Sequence, residues 1–204
     1  MMFKANSDNK ITATASKFVE GGVKENLELD RIELGTSKNG NNFIALYWKD
    51  LSGAEVSKTE WEPKMNKGET PEILQEKSDK LMKRMHHMLV KSDILTEEEW
   101  GFEVTSFDAL GKELIKRVID TEKHKGVKVR AKVVYDKNNY TTLPAYTTAV
   151  WIENMTVLET EMRKLSIDKY DRVEPSAIRQ TEVNPFNNEN KATATTEVTV
   201  DSPF

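Results

Sequence analysis

The alternation of apolar and polar residues predicts a small β-sheet in the first third of the chain. Turns rich in Asn, Gly and Ser separate three predicted strands, which cover residues 27–34, 43–49 and 55–61. Asn39-Gly40 is a strong hairpin signal between the first two strands. In the first strand the apolar phase changes between Leu29 and Ile32. A β-bulge near Asp30-Arg31 is therefore needed to keep both halves of the strand facing the core.

The periodicity changes to three and four residues after this sheet, which predicts a helix over 71–92. A second helix begins after Ser106, a residue type that caps helix N-termini, and it stops before Gly126. The remaining predicted elements are two strands and a weakly amphipathic stretch, which cover residues 127–135, 146–152 and 156–170.

Three strands, a helical segment and two further strands predict an OB-fold, a five-stranded Greek-key barrel with a helix between strands 3 and 4. The class is mainly β with a helical insertion (α+β), and the enlarged insertion covers residues 64–125. A generic α+β sheet with a helical cap is the alternative. We expect one OB-like domain over residues 1–173. Residues 174–204 are acidic, rich in Thr and Asn and poor in large apolar side chains, so we expect a disordered tail.

The amino-acid composition limits which ligands, cofactors and cellular locations are expected for this protein. The 204 residues include 34 acidic and 30 basic side chains, for a net charge of -4, so a nucleic acid would have to bind a local patch. The absence of cysteine excludes disulfides, thiolate metal sites and cysteine nucleophiles. With three histidines in the chain, we expect no metal and no other cofactor. No apolar run is long enough to span a bilayer and no secretory signal is present, so we expect a cytoplasmic protein.

Signals of catalysis are missing from the sequence. It contains no phosphate loop ending in GK[ST] and no GxSxG, HExxH or GxGxxG motif. The acidic residues form no recognisable nuclease or glycosidase pair. We therefore expect no enzymatic activity, with a nuclease as the alternative.

Four aromatic residues are candidates for stacking on nucleic-acid bases. Phe43 and Tyr47 share the phase opposite to the apolar residues of the second strand, so they are expected to face outward. Trp61 ends the third strand, and Tyr140 lies in the turn after the strand 127–135. Stacking on aromatic side chains tolerates any base sequence. The alternative is that one or both of the strand aromatics pack under the helical insertion.

Basic residues supply candidates for neutralising phosphates. Alternation over 127–135 places Lys128, Arg130 and Lys132 on one side, about 6–7 Å apart by the strand rise. A solvated strand face that deters aggregation is the alternative. The other candidates in the first three strands and their turns are Lys38, Lys49 and Lys58. A further basic group on the first helix is interpreted as a solvated face: Lys77, Lys80, Lys83 and Arg84.

The sequence ends in an acid, a proline and a terminal phenylalanine: Asp201, Pro203 and Phe204. Together with the barrel pattern, this ending resembles single-stranded DNA-binding proteins of the OB-fold kind, of the bacteriophage type. Residues 27–61, with the segments 36–40 and 59–63, are also similar to phage proteins of this class.

The resemblance implies sequence-independent binding of single strands in DNA replication, recombination and repair, in the cytoplasm of a host cell. It also implies that the C-terminal tip recruits replication or recombination proteins. Two features depart from bacterial members: the tip has Asp201 in place of several consecutive acids, and the helical insertion is foreign to their pattern. An OB-like protein-interaction module without nucleic-acid binding is the alternative function.

Overall fold

The computed structural model describes residues 18–173. The strands are β1 (Gly22–Thr36), β2 (Asn42–Lys49), β3 (Glu55–Trp61), β4 (Lys128–Tyr135), β5 (Thr141–Thr142) and β6 (Ile152–Asn154). The helices are α1 (Pro71–Val90), α2 (Glu97–Trp100) and α3 (Phe107–Leu114), which continues as a π-helical segment (Ile115–Asp120). The predicted tail, residues 174–204, lies outside the described residues.

Five strands close into a ring in the order β1-β2-β3-β5-β4, because β4 also pairs with β1. The β3–β5 contact between Ser57 and Thr142 is parallel, whereas the other pairs of the ring are antiparallel. β6 pairs with β4 as a sixth strand, and the helices lie between β3 and β4 in the chain. The predicted α+β class and OB-like arrangement are confirmed.

The long strand β1 makes closure of the ring possible. Its first half pairs with β4 and its second half with β2, and the register shifts between Lys24 and Leu27 and again between Leu29 and Arg31. Leu27, Leu29 and Ile32 are all buried, although they do not share one alternation phase. The second shift lies where the phase change predicted a bulge, and that prediction is confirmed.

The core lies inside the ring and under the helices. Ile44, Leu46 and Trp48 of β2 are fully buried on the inner phase. α1 adds Met85 and Met88 to the same cluster of buried residues. Since the inner phase of β2 packs into this core, Phe43, Tyr47 and Lys49 of the other phase lie on the opposite, outer surface of the ring.

The predicted strand over 146–152 is wrong. The ring is closed by β5 instead, and the later strand β6 begins only at Ile152. The main chain of Trp151, just before β6, has one backbone and one side-chain partner: its carbonyl accepts from the Lys132 N–H at 2.8 Å, and its own N–H donates to His87 Nε2 at 3.2 Å. The indole Nε1 of Trp151 donates to the Tyr146 carbonyl at 3.0 Å. The weakly amphipathic stretch 156–170 forms neither helix nor strand.

Candidate nucleic-acid interface

The outer face of β1, β2 and β3 (the outer face hereafter) carries two of the predicted stacking residues on β2 and a third at the end of β3. The cross-strand register arranges its side chains in rows that run across the three strands. Read from β1 to β3, the two rows that contain aromatic residues are Gly35–Phe43–Trp61 and Arg31–Tyr47–Ser57.

The first row presents an aromatic surface to solvent. The rings of Phe43 and Trp61 pack edge to face, with centroids 5.5 Å apart, and Trp61 is 51% exposed. Gly35 lets the Phe43 ring lie directly on the β1 backbone, because a Cβ at position 35 would be 2.7 Å from the ring Cζ. The glycine therefore helps to fix the ring that stands beside Trp61.

The second row is occupied by an ion-pair network. The Arg31 guanidinium lies 3.7 Å from the centroid of the Tyr47 ring. A hydrogen bond from Arg31 lowers the pKa of Glu55, which accepts it at 2.6 Å. The members of this group (the Arg31 network hereafter) are Asp30, Arg31, Glu33, Lys49 and Glu55. Three carboxylates surround two cations, so this part of the outer face has no excess positive charge for a phosphate.

Lys49 belongs to the Arg31 network and is not free for the predicted phosphate contact. Its Nζ lies 2.9 Å from Asp30 and 3.5 Å from Glu55. The hydrogen bond to Asp30 raises the pKa of Lys49. The carboxylates therefore already balance this ammonium group.

Two turns border the outer face. The β1–β2 turn, residues 37–41, exposes Lys38 and is closed by a hydrogen bond from the Gly40 N–H to the Ser37 carbonyl at 2.9 Å. The β4–β5 turn, residues 136–140, exposes 68% of Tyr140. A cleft of about 380 Å³ lies beside this second turn, and its lining includes Phe18, Tyr47, Tyr140 and Arg172. Lys38, Phe43, Tyr47, Trp61 and Tyr140 thus all lie on the outer face or its bordering turns.

Lys132 is buried, so the expectation that it faces solvent is wrong. Its side chain is 0% exposed, and its Nζ donates to Asp168 at 2.9 Å and to the Tyr146 hydroxyl at 3.0 Å. A third donation goes to the Arg163 carbonyl. The segment that supplies these acceptors comes later in the chain and encloses this side of β4.

Two further predicted phosphate ligands are held by the protein itself. Lys58 is 7% exposed because β3 places it on the inner phase, and burial lowers its pKa. The Arg130 guanidinium is bound by Glu25 at 3.0 Å and by Glu153 at 2.9 Å. Of the three basic residues predicted to line β4, Lys128 is the exposed one. The basic residues of β4 therefore mainly stabilise the fold, and they do not form a row of solvent-exposed groups that could bind phosphates.

The sequence interpretation missed a basic cleft next to Trp61. Lys64 follows β3, and Lys77, Lys80 and Arg84 line the cleft from one side of α1. Their spacing indicated one helix face, but it could not show that this face lies against the end of β3.

The described residues contain no group of three or more histidine or acidic side chains placed to hold a metal ion. Between residues 18 and 173, no helix has the length and apolar character needed to cross a membrane. The predicted partner-binding tip, Asp201, Pro203 and Phe204, lies outside the described range.

No known protein-family model matches this chain, and no curated protein matches it. The fold and the geometry of the outer face are thus the basis for a functional assignment.

Proposed function

We propose that this chain is a sequence-independent single-stranded DNA-binding protein that protects single strands in replication, recombination and repair. One observation carries the proposal: the aromatic row of Phe43 and Trp61 lies on the outer face of an OB-like ring, between the two bordering turns. In OB-folds, the face formed by strands 2 and 3 and the corresponding two turns bind oligonucleotides.

The arrangement suits bases that stack without sequence readout. Trp61 and Phe43 offer one aromatic surface, and Tyr140 offers a second beyond Tyr47. Phe43 and Tyr47 are four residues apart on β2, about 13 Å by the strand rise, so the two rows would contact different bases. Arg31 already stacks on Tyr47, and we therefore assign Tyr47 to the wall of the cleft with Tyr140.

Binding of a fluorescein-labelled oligo-dT, followed by anisotropy, tests this proposal. Stacking contributes roughly 1–3 kcal/mol per base, so Phe43→Ala and Trp61→Ala should each raise Kd about 5- to 150-fold. Leu51→Ala is the matched control, because Leu51 is 76% exposed in the β2–β3 turn and outside the aromatic rows. Unchanged affinity in the two aromatic variants, both folded, would refute stacking on the outer face.

The alternative is an OB-like protein-interaction module without nucleic-acid binding. A groove of about 390 Å³ between α1 and α3 favours it, since Leu74, Met82 and Phe107 give part of its lining an apolar character. Failure of the wild-type protein to bind oligo-dT at low salt, in both anisotropy and gel-shift assays, would make this function the better account.

We further propose that Asp201, Pro203 and Phe204 recruit replication or recombination proteins. A phenylalanine that follows a proline and lies close in sequence to an acidic side chain suits an apolar pocket rimmed by Arg or Lys. Deletion of residues 201–204 should abolish binding to a purified replication or recombination protein. The same deletion should lower the affinity for oligo-dT by less than twofold. Equal partner binding with and without the tip would contradict this role.

A further inference from the structure

The cleft beside Trp61 joins the outer face to helix α1. It has a volume of about 440 Å³, and its walls are the end of β3, the β1–β2 turn and one side of α1. Trp61 belongs both to this cleft and to the aromatic row with Phe43. A single-stranded DNA whose bases stack on that row can therefore continue into the cleft without leaving the protein surface.

Four cations line the cleft, and they differ in how firmly they are held. Arg84 makes a two-point ion pair with the buried Glu60, at 2.7 and 2.6 Å, which fixes α1 against β3. Lys77 is also held, and its hydrogen bond to Glu69 lowers the pKa of that carboxyl to about 2. Arg84 and Lys77 therefore have structural partners.

Lys64 and Lys80 are the cations available to a ligand. Lys64 Nζ donates to the neutral Asn41 Oδ1 at 3.0 Å and has no carboxylate partner within residues 18–173. Lys80 pairs with Glu76 one helical turn away, and both side chains are more than half exposed. Exposed pairs of this kind contribute little, so Lys80 can turn to a phosphate. The lining includes one carboxylate, Glu62, which accepts a hydrogen bond from Asn42.

In the part of the chain that the structure describes, the opposite end of the outer face offers a phosphate no cation comparable to Lys64. There the Arg31 network places three carboxylates around two cations, and the two cations are already paired. A polyanion is attracted more strongly to the end where Lys64 has no carboxylate partner among the described residues and the Lys80–Glu76 pair is exposed than to the paired cations of the network. We therefore expect a phosphate backbone to bind at the end beside Trp61 and not at the Arg31 network.

We propose that the cleft beside Trp61 is a phosphodiester-binding subsite for single-stranded DNA, in which Lys64 and Lys80 contact phosphates and Trp61 stacks on a base. The DNA leaves the sheet over α1 and does not run along Lys49 or β4. This inference rests on the proposed function and adds the helical insertion to the binding site.

Two double variants with the same charge change test the subsite. Lys64→Ala/Lys80→Ala removes the cleft contacts, whereas Lys83→Ala/Lys112→Ala removes two exposed lysines outside the cleft, one on α1 and one on α3, where Lys112 pairs with Asp108 as Lys80 does with Glu76. We expect the cleft variant to bind oligo-dT about tenfold or more weakly at low salt than the control variant. Its log–log salt slope should be less negative by about 1.4, since each phosphate contact contributes about 0.7 for a single strand.

The possible outcomes separate the two proposals. If the wild-type protein binds oligo-dT but both double variants show the same affinity and salt slope, the subsite is wrong and the function stands. If the wild-type protein does not bind at all, the proposed function fails and the subsite fails with it. Circular dichroism melts check that the variants are folded, which we expect because none of the substituted lysines belongs to the buried core.

Discussion

The buried pair of Lys132 and Asp168 gives the sharpest prediction about stability. Burial opposes ionisation of Asp168, but hydrogen bonds from the Leu165 N–H, Lys132 and Tyr146 outweigh it and lower the pKa of this carboxyl. Lys132→Met removes the ammonium group and leaves the carboxylate enclosed. Breaking a buried pair in this way costs about 3–5 kcal/mol. For a chain of this size, the loss corresponds to a Tm lower by about 6–20 °C.

The dependence on pH checks the physical cause. The lowered pKa means that Asp168 contributes stability above its unfolded value of 3.8, which is lost as the pH falls through the folded pKa. In Lys132→Met, protonation of Asp168 removes the uncompensated charge. The difference in unfolding free energy between wild type and variant should therefore shrink as the pH falls below about 4.

Urea and thermal unfolding of matched variants provide the assay. Lys128→Met is the control on the same strand, and as an exposed change it should alter stability by no more than about 0.5 kcal/mol. Adding Asp168→Asn to Lys132→Met should recover part of the lost stability, because it removes the orphan charge. Equal midpoints for Lys132→Met and Lys128→Met would refute the buried pair and return Lys132 to the list of possible phosphate ligands.

Three other predictions concern separate parts of the molecule. Burial lowers the pKa of His87 from 6.5 to about 4. Between these two pH values, His87 is protonated in the unfolded state and neutral in the folded state. Stability should fall as the pH decreases from about 6.5 toward 4, and His87→Gln should flatten this slope in urea titrations. Gly35→Val should displace the Phe43 ring and weaken oligo-dT binding as much as Phe43→Ala does; wild-type affinity would contradict the packing. Tyr140→Ala should weaken binding by about 1 kcal/mol or more without changing Tm, and an unchanged Kd would remove Tyr140 from the site.

Local signals predicted most of the fold. The phase change in the first strand required a bulge, and β1 has a register shift between Leu29 and Arg31. Asn39-Gly40 predicted the first hairpin, where Gly40 has a φ of +73°. β5 could not be predicted, because two residues are too few to show an alternation. Just before β6, the Trp151 N–H finds its acceptor in the His87 side chain, a contact across 64 positions that no local pattern contains.

The candidate site was predictable only where one phase of a strand was clearly apolar. In β2 the inner phase is apolar, so the outward placement of Phe43 followed from the sequence. In β3 both phases carry polar residues, and nothing local showed that Lys58 points inward. Lys132 alternates correctly with its neighbours, yet its exposure depends on Asp168, which lies 36 positions later. Charged residues on one face of a strand therefore predict a ligand site only when it is known whether another segment of the chain packs over that face.

Tryptophan fluorescence during titration with oligo-dT tests the central claim most directly. Trp48 and Trp151 are fully buried and Trp100 is half-buried, whereas Trp61 is exposed on the outer face. We predict that oligo-dT quenches the wild-type signal, that duplex DNA does not, and that Trp61→Phe removes most of the response. Contacts to two to four phosphates predict a log–log salt slope of about -1.4 to -2.8. Quenching that persists in Trp61→Phe, or binding that does not depend on salt, would contradict single-strand binding on the outer face.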